Sequence, residues 1–215
     1  MHVISVNVGQ PRAVEWNGRT VATGIFKAPV AGRVKLRRHN LDGDRQADLT
    51  LHGGPDKAVY AYSAEHYPFW RAELPGHDLP WGAFGENLTL AGWREEEVHV
   101  GDRFRVGTAE LIVTQPRMPC FKLGLRFGRA DVVRRFLESG LSGFYFRVLE
   151  EGEIAAGDSM ERSAEDPHRV SIADVFRLYP DHGPPTAADR DLLARAIQVQ
   201  ALPEPWRDYF RERLY

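Results

Sequence analysis

The chain has 215 residues, of which 43 % are hydrophobic, and a formal net charge of −2 at pH 7. This length suits one large domain or one domain with a small appendage, and the near-neutral charge argues against an electrostatically driven nucleic-acid binder. A lone cysteine forms no disulfide within the chain, and the N-terminus lacks a signal-peptide pattern. No apolar stretch approaches the roughly 20 residues that cross a bilayer. We therefore expect a soluble, cytoplasmic protein without a membrane or nucleic-acid partner.

The first two-thirds of the chain predicts a β-rich domain. Alternating apolar and polar residues indicate strands over residues 2–8, 33–37, 58–62, 87–90, 103–106, 110–114 and 144–149. Two helices interrupt them. One is capped by Ser63 and runs to Leu74, and Pro68 makes its first turns irregular or moves its start later. The other is capped by Asp131 and covers 132–139. Short strands with frequent Gly-Asp turns favour a barrel or a sandwich.

The last quarter of the chain predicts a small helical unit. Residues 163–169 are polar, contain Pro167 and are typical of a linker. Beyond them we predict helices over 171–179, 186–200 and 204–214, the second with a capping box at its start. The predicted domains are therefore residues 1–163, with a core at about 27–162, and residues 169–215.

The most informative stretch is Thr-Gln-Pro-Arg-Met-Pro-Cys-Phe-Lys-Leu around Cys120, which lies between Arg117 and Lys122. Pro116 and Pro119 fix two backbone φ angles and stiffen this loop. Positive charge on both sides favours the thiolate, the form that binds metals and attacks electrophiles. A thiolate on a stiff loop suits a metal ligand or a nucleophile. An inert core cysteine is the alternative.

Two further turns have the composition of ligand-binding loops. His52 precedes Gly53 and Gly54, whose N–H groups can approach an anion, and Lys57 follows with its charge. An ordinary hairpin turn fits this pattern as well. Asn87 offers a donor and an acceptor to the edge of a ring, and a left-handed turn residue is the alternative there. The sequence contains no zinc, nucleophile-elbow or Rossmann motif, so neither NAD nor FAD is expected to bind directly.

Five motifs follow one another along the chain: GDRQAD at 43–48, HGGPDKAV at 52–59, FGENL at 84–88, GD at 101–102 and QPRMPCFKL at 115–123. Together they resemble the MOSC domain family, specifically its YiiM-like branch. The tail resembles the three-helix segment that follows the MOSC domain in that branch. The resemblance implies a mainly β fold with α-helices, in which a MOSC-type β-barrel precedes a C-terminal three-helix bundle.

The resemblance also implies a molybdopterin-type molybdenum cofactor, with Cys120 bound directly to the metal. It implies an oxidoreductase that reduces N-hydroxylated compounds, such as N-hydroxylated purine bases, with electrons from a separate flavin reductase. The branch is associated with dimers. Catalytic roles are expected for Cys120, Arg117 and Lys122. Cofactor contacts are expected from Lys27, Arg33, His52, Gly53, Gly54, Lys57, Asn87, Gln115 and Arg117.

Two other functions use the same residues. A sulfur carrier would hold a persulfide on Cys120, and a binding module would carry the cofactor without catalysis. Metal analysis of the purified protein distinguishes these hypotheses.

Overall fold

The structure, a computed structural model, describes residues 1–48, 53–180 and 183–215. The strands of this part of the chain are β1 His2–Val8, β2 Arg12–Trp16, β3 Arg19–Thr23, β4 Ala28–Pro29, β5 Val34–Leu36, β6 Val59–Ser63, β7 Leu88–Ala91, β8 Arg103–Val106, β9 Ala109–Pro116, β10 Phe144–Glu150, β11 Gly152–Ile154 and β12 Met160–Ala164. Its helices are α1 Tyr67–Glu73, α2 Phe121–Phe127, α3 Val132–Ser139, α4 Ile172–Leu178, α5 Ala187–Ala196 and α6 Glu204–Leu214. Within the described ranges, no helix has the length and apolar character needed to cross a membrane.

Eight strands form one sheet in the order β12-β8-β9-β10-β6-β7-β1-β4, with antiparallel pairing except between β6 and β7. This ladder is open and does not close into the predicted barrel. Its ends nevertheless approach each other, because the Val3 N–H donates to the Asp158 carbonyl at 2.9 Å and the Met160 N–H donates to that of Met1 at 3.0 Å. The predicted mainly β fold with helices is confirmed.

Several predicted elements keep their bounds, and others need correction. The strand at residues 2–8 and the helix at 204–214 form as predicted. The helix at 132–139 also forms, with Asp131 as its N-cap residue. The Asp131 carboxylate makes no capping hydrogen bond, because it accepts from Arg129 and Arg135 instead. Ser63 caps a 3₁₀ turn over Ala64–His66, and α1 starts later, with proline in its first turn, as Pro68 predicted. The β2–β3 hairpin and α2 were not predicted.

One hydrophobic core extends from the sheet into the C-terminal helices. Val113 and Phe146 of the sheet belong to the same buried cluster as Val175, Leu193 and Phe210 of α4, α5 and α6. Fully burying a side chain of this size contributes about 1.5–3 kcal/mol each. The tail is therefore stabilised largely by the sheet that it covers.

A second cluster is mainly aromatic and lies under the first three helices. Tyr62, Trp70, Phe84 and Phe136 are fully buried in it, with ring centroids 4.8–6.4 Å apart where they contact one another. Such ring contacts add stability beyond the buried area. This cluster supports the β6 and α3 residues that lie beside the candidate site.

Candidate functional site

A cavity of about 100 Å³ opens beside the loop that follows β9. Its described lining has five basic side chains and no acidic one. The basic residues are Lys27, Arg45, Lys57, Arg117 and Lys122. Cys120 and Met118 contribute sulfur atoms to the same lining. Because one sign of charge dominates a concave surface, the basic cavity, as we name it, is suited to an anionic ligand.

The local fold holds Cys120 at a junction between a strand and a helix. Pro116 ends β9 opposite Phe144 of β10, and the chain then turns into α2. Cys120 is the N-cap residue of α2, with extended backbone angles of φ −121° and ψ 173°. Its carbonyl accepts a hydrogen bond from the Leu123 N–H at 2.9 Å, and the residue is half-buried. The loop that carries the Cys120 thiol is therefore held between β9 and α2.

Arg117 is a buried cation, with 6 % of its surface exposed. Its guanidinium carbon lies 5.0 Å from the ring centroid of Tyr60 and 5.1 Å from that of Phe136. Nη1 is buried without a hydrogen-bond partner, and no carboxylate in the described parts of the chain pairs with this side chain. Burial, the largest effect, acts to lower the pKa of Arg117, but the anions of Tyr60, Tyr145 and Cys120 and a hydrogen bond with Tyr60 raise it overall. At neutral pH the two phenols are protonated, so their charges do not offset the cost of burying the cation. Since an unpaired buried charge is costly, this arrangement suits a site that receives negative charge.

Two tyrosines that sequence analysis missed face each other beside Arg117. Tyr60 of β6 pairs with Tyr145 of β10 in the ladder, and their ring centroids are 5.2 Å apart. Both line the basic cavity. Burial raises the pKa of both phenols, so they keep their protons at neutral pH. The alternation of residues along a strand predicts on which face of the sheet each tyrosine lies. It does not predict which residue of a neighbouring strand lies beside that tyrosine.

The predicted ligands Lys27 and Asn87 are joined through Asp44. The Lys27 ammonium pairs with the Asp44 carboxylate, and Asn87 Nδ2 donates to Asp44 Oδ2 at 2.9 Å. Asn87 Oδ1 accepts from the Tyr60 N–H at 3.1 Å. Burial lowers the pKa of Lys27, and Asp44 opposes that effect. Both residues line the cavity, but the Asn87 amide is engaged by the protein itself.

Other predicted residues lie at the margin of the cavity or beyond it. Arg33 pairs with Asp158 at 2.9 Å and is not part of the lining. Gln115 Oε1 accepts from Trp206 Nε1 at 2.9 Å and faces a neighbouring groove. Arg33 and Gln115 therefore each connect two distant segments of the chain.

Of the residues in and directly after the Gly-Gly-Pro turn, Lys57 is the one that lines the cavity. Lys57 belongs to the lining, whereas Gly53 and Gly54 do not. Gly54 has φ 93°, which favours glycine, and it begins the 3₁₀ turn that carries Lys57. Burial lowers the pKa of Lys57, and Asp56 opposes this effect. His52, the remaining predicted ligand, lies outside the described residues.

An open β-sheet, a helical tail packed on it and a half-buried cysteine in a basic cavity define a MOSC-type protein. Residues 48–161 match the MOSC domain, and residues 170–215 match the YiiM-like, 3-alpha helix domain. The chain belongs to the MOSC family and carries the YiiM-like helical tail.

Relatives extend over nearly the whole chain. YflK of Bacillus subtilis is 45 % identical over 212 residues, which cover 98 % of this chain and 93 % of YflK. The crystal structure of YiiM from Geobacillus stearothermophilus is similar with a TM-score of 0.80 and 35 % identity, covering 100 % of this chain and 99 % of that one. A protein of Gibberella moniliformis named "Reductase" is 34 % identical over 202 residues, which cover 92 % of this chain and 35 % of that protein.

MOSC domains are associated with binding of the molybdenum cofactor, and the residues present fit such a group. Its phosphate matches the basic lining, in which the buried Nη1 of Arg117 has no partner among the described residues. Within the described ranges, no three His, Cys, Asp or Glu side chains come together as a metal site. Among the described residues, Cys120 is the candidate ligand of the molybdenum, and the dithiolene of the cofactor supplies further sulfur ligands.

Proposed function

We propose that this protein is a molybdenum-cofactor-dependent oxidoreductase that reduces N-hydroxylated compounds, such as N-hydroxylated purine bases, to amines. The observation that carries the proposal is the position of Cys120 in a basic cavity beside a buried Arg117, whose Nη1 has no hydrogen-bond partner among the described residues. A thiolate ligand needs such a setting, because the nearby cation balances its charge. The reaction is N–OH + 2e⁻ + 2H⁺ → N–H + H₂O.

The residues of the basic cavity divide into three roles. Cys120 holds the metal, and the cofactor, when bound, supplies the two-electron redox chemistry. Lys27, Arg45 and Lys57 offer positive charge to the phosphate, which basic side chains bind through charge-assisted hydrogen bonds. Arg117 and Lys122 offset negative charge that accumulates near the sulfur during the reduction.

A hydrogen-bond donor for the reacting N–OH group is present in the lining. Burial raises the pKa of Tyr145, so its phenol keeps its proton at neutral pH. Tyr145 lines the cavity that contains Cys120, so its hydroxyl can donate a hydrogen bond to the N–OH oxygen as water leaves.

Electrons come, in this proposal, from a separate flavin reductase, and the protein acts as a homodimer. One comparison supports the redox assignment. The fungal relative is named a reductase, and this chain corresponds to about a third of its length.

The test is to produce wild type and Cys120→Ala in cells that make the cofactor, and to measure molybdenum and reduction of an N-hydroxylated purine with a flavin reductase. We expect bound molybdenum and turnover in wild type, and loss of both in Cys120→Ala. Wild type from cells that cannot make the cofactor is the control, and equal melting curves of the apoproteins exclude misfolding. A persulfide on Cys120 without molybdenum would indicate a sulfur carrier instead. Molybdenum without turnover would indicate a binding module.

A further inference from the structure

A second hollow adjoins the basic cavity and is walled by aromatic rings. Its aromatic residues are Tyr145, Tyr179, Trp206 and Tyr209, and we call it the aromatic groove. Lys57, Met118 and Tyr145 line both the groove and the basic cavity. The two hollows therefore adjoin each other at these three side chains, and the groove lies next to the cavity that contains Cys120.

The C-terminal helices supply most of this wall. Tyr179 follows directly after α4, and Trp206 and Tyr209 belong to α6. The Tyr179 ring centroid lies 4.6 Å from that of Trp206 and 5.3 Å from that of Tyr209. Trp206 Nε1 donates to Gln115 Oε1 at 2.9 Å, and the Tyr209 hydroxyl donates to the Tyr179 carbonyl at 2.6 Å. The rings are thus held in place before any ligand arrives, which reduces the ordering cost of binding.

The groove's dimensions and chemistry suit a flat aromatic molecule. Its volume of about 430 Å³ accommodates a small ligand. Its lining contains one cation, Lys57, and no carboxylate among the described residues. Tyrosine and tryptophan faces stack on heteroaromatic rings whatever their substituents. Tyr179 is 40 % exposed and offers such a surface.

We propose that the aromatic groove is the substrate-recognition site, that it selects planar aromatic N-hydroxylated compounds over aliphatic ones, and that Tyr179 determines this selectivity. The inference rests on the proposed reductase function. In this proposal the helical tail takes part in substrate binding, because it supplies the Tyr179 ring on which the substrate stacks. Lys57 and Tyr145 lie at the end of the groove nearer Cys120.

The experiment compares wild type, Tyr179→Ala and Tyr179→Phe as molybdenum-loaded proteins. Phe69→Ala is the matched control, because Phe69 is an aromatic residue of similar exposure, 41 %, outside both hollows. Calorimetry measures the Kd of benzamidoxime, and steady-state assays compare benzamidoxime with its aliphatic counterpart acetamidoxime. Loss of one stacking ring is expected to raise the Kd and KM for benzamidoxime about tenfold in Tyr179→Ala. The KM for acetamidoxime, kcat, and the properties of Tyr179→Phe and Phe69→Ala should not change.

The binding and turnover results separate the two proposals. If wild type binds benzamidoxime in a Tyr179-dependent manner but reduces neither amidoxime nor an N-hydroxylated purine, the groove assignment stands and the reductase function fails. If Tyr179→Ala binds benzamidoxime as wild type does, or loses both substrates equally, the groove assignment is overturned. A change from dimer to monomer in sedimentation of Tyr179→Ala would also overturn it, because the patch would then be an interface between copies. Should Tyr179→Ala fail to fold, Tyr179→Leu removes the ring while keeping apolar volume and is read in the same way.

Discussion

Lys27 and Asp44 form an ion pair in which the two side chains expose 8 % and 0 % of their surface. The carboxylate also accepts from the Gly9 N–H and from Asn87 Nδ2, each at 2.9 Å. Removing one partner of a buried pair leaves an uncompensated charge, at a cost of about 3–5 kcal/mol. We expect Asp44→Asn to lower the free energy of unfolding by an amount of this order, as measured by urea denaturation.

An exposed ion pair supplies the control for this prediction. Arg37 and Asp42 have side chains that are 47 % and 51 % exposed, and such pairs contribute little. Asp42→Asn should therefore leave the urea midpoint unchanged. Adding Lys27→Met to Asp44→Asn removes the orphaned cation and should recover part of the stability. Wild-type stability of Asp44→Asn alone would refute the structural role of this pair.

Replacement of Arg117 should separate stability from function. Its buried guanidinium has no carboxylate partner among the described residues and an unsatisfied Nη1. Arg117→Met keeps the length and contacts with the rings but removes the desolvated charge. We expect the apoprotein to gain about 1–2 kcal/mol of stability, while the molybdenum content of cofactor-loaded protein falls.

Thermal unfolding of apoprotein and elemental analysis of loaded protein measure the two effects. Arg129→Met is the control, because Arg129 is partly exposed and pairs with Asp131 at 2.7 Å; it should bring no gain in stability and no loss of metal. A less stable Arg117→Met apoprotein would show that the guanidinium serves the fold and not the ligand.

Acid should weaken the helical tail through Asp189. A hydrogen bond from the Thr186 hydroxyl, followed by one from Arg177, lowers the pKa of Asp189 to about 2 from 3.8. A depressed pKa means that this carboxylate contributes stability above pH 3.8, and that the contribution disappears as the pH falls toward about 2. The difference in melting temperature between wild type and Asp189→Asn should therefore shrink with acidification.

Melting curves collected from about pH 5 down to about pH 2 test this dependence. Asp191→Asn, on the exposed side of the same helix, is the control and should match wild type throughout. A wild-type advantage over Asp189→Asn that stays constant across this range would contradict the prediction.

The tail should be required for folding. Val175, Leu193 and Phe210 share one buried cluster with the sheet, so a chain ending at Ala164 would expose the apolar surface that they cover. We expect this truncated protein to aggregate, as measured by soluble yield and near-ultraviolet circular dichroism. Deletion of Tyr215, which is 96 % exposed, is the control and should have no effect. A soluble, natively folded chain ending at Ala164 would show that the sheet is independent of the tail.

Local patterns predicted those elements whose two faces differ in polarity. In β8 two exposed arginines alternate with two buried apolar residues, and this strand forms where alternation placed it. Helix α2 escaped prediction because Gly124 weakens the helical pattern. The tertiary structure explains that glycine, since a Cβ there would lie 3.0 Å from the Arg129 carbonyl oxygen. The β2–β3 hairpin could have been predicted from the Asn17-Gly18 pair, which is typical of two-residue hairpin turns. In the structure both residues have the positive φ that such turns require.

The sequence alone determined the stiff loop at Cys120 and its flanking cations, because these depend on neighbours within a few residues. It also indicated the family, because the five motifs can be recognised from their order along the chain. Only the tertiary structure decided which side chains meet there. Lys27 and Arg33 come from one basic stretch, yet Lys27 lines the cavity while Arg33 pairs with Asp158. Arg33 and Asp158 are 125 residues apart in the chain, and strand register and chain topology bring them together, which no local pattern encodes. The same long-range pairing brings Trp206 of the tail next to Gln115, and so places an aromatic wall beside the cysteine loop.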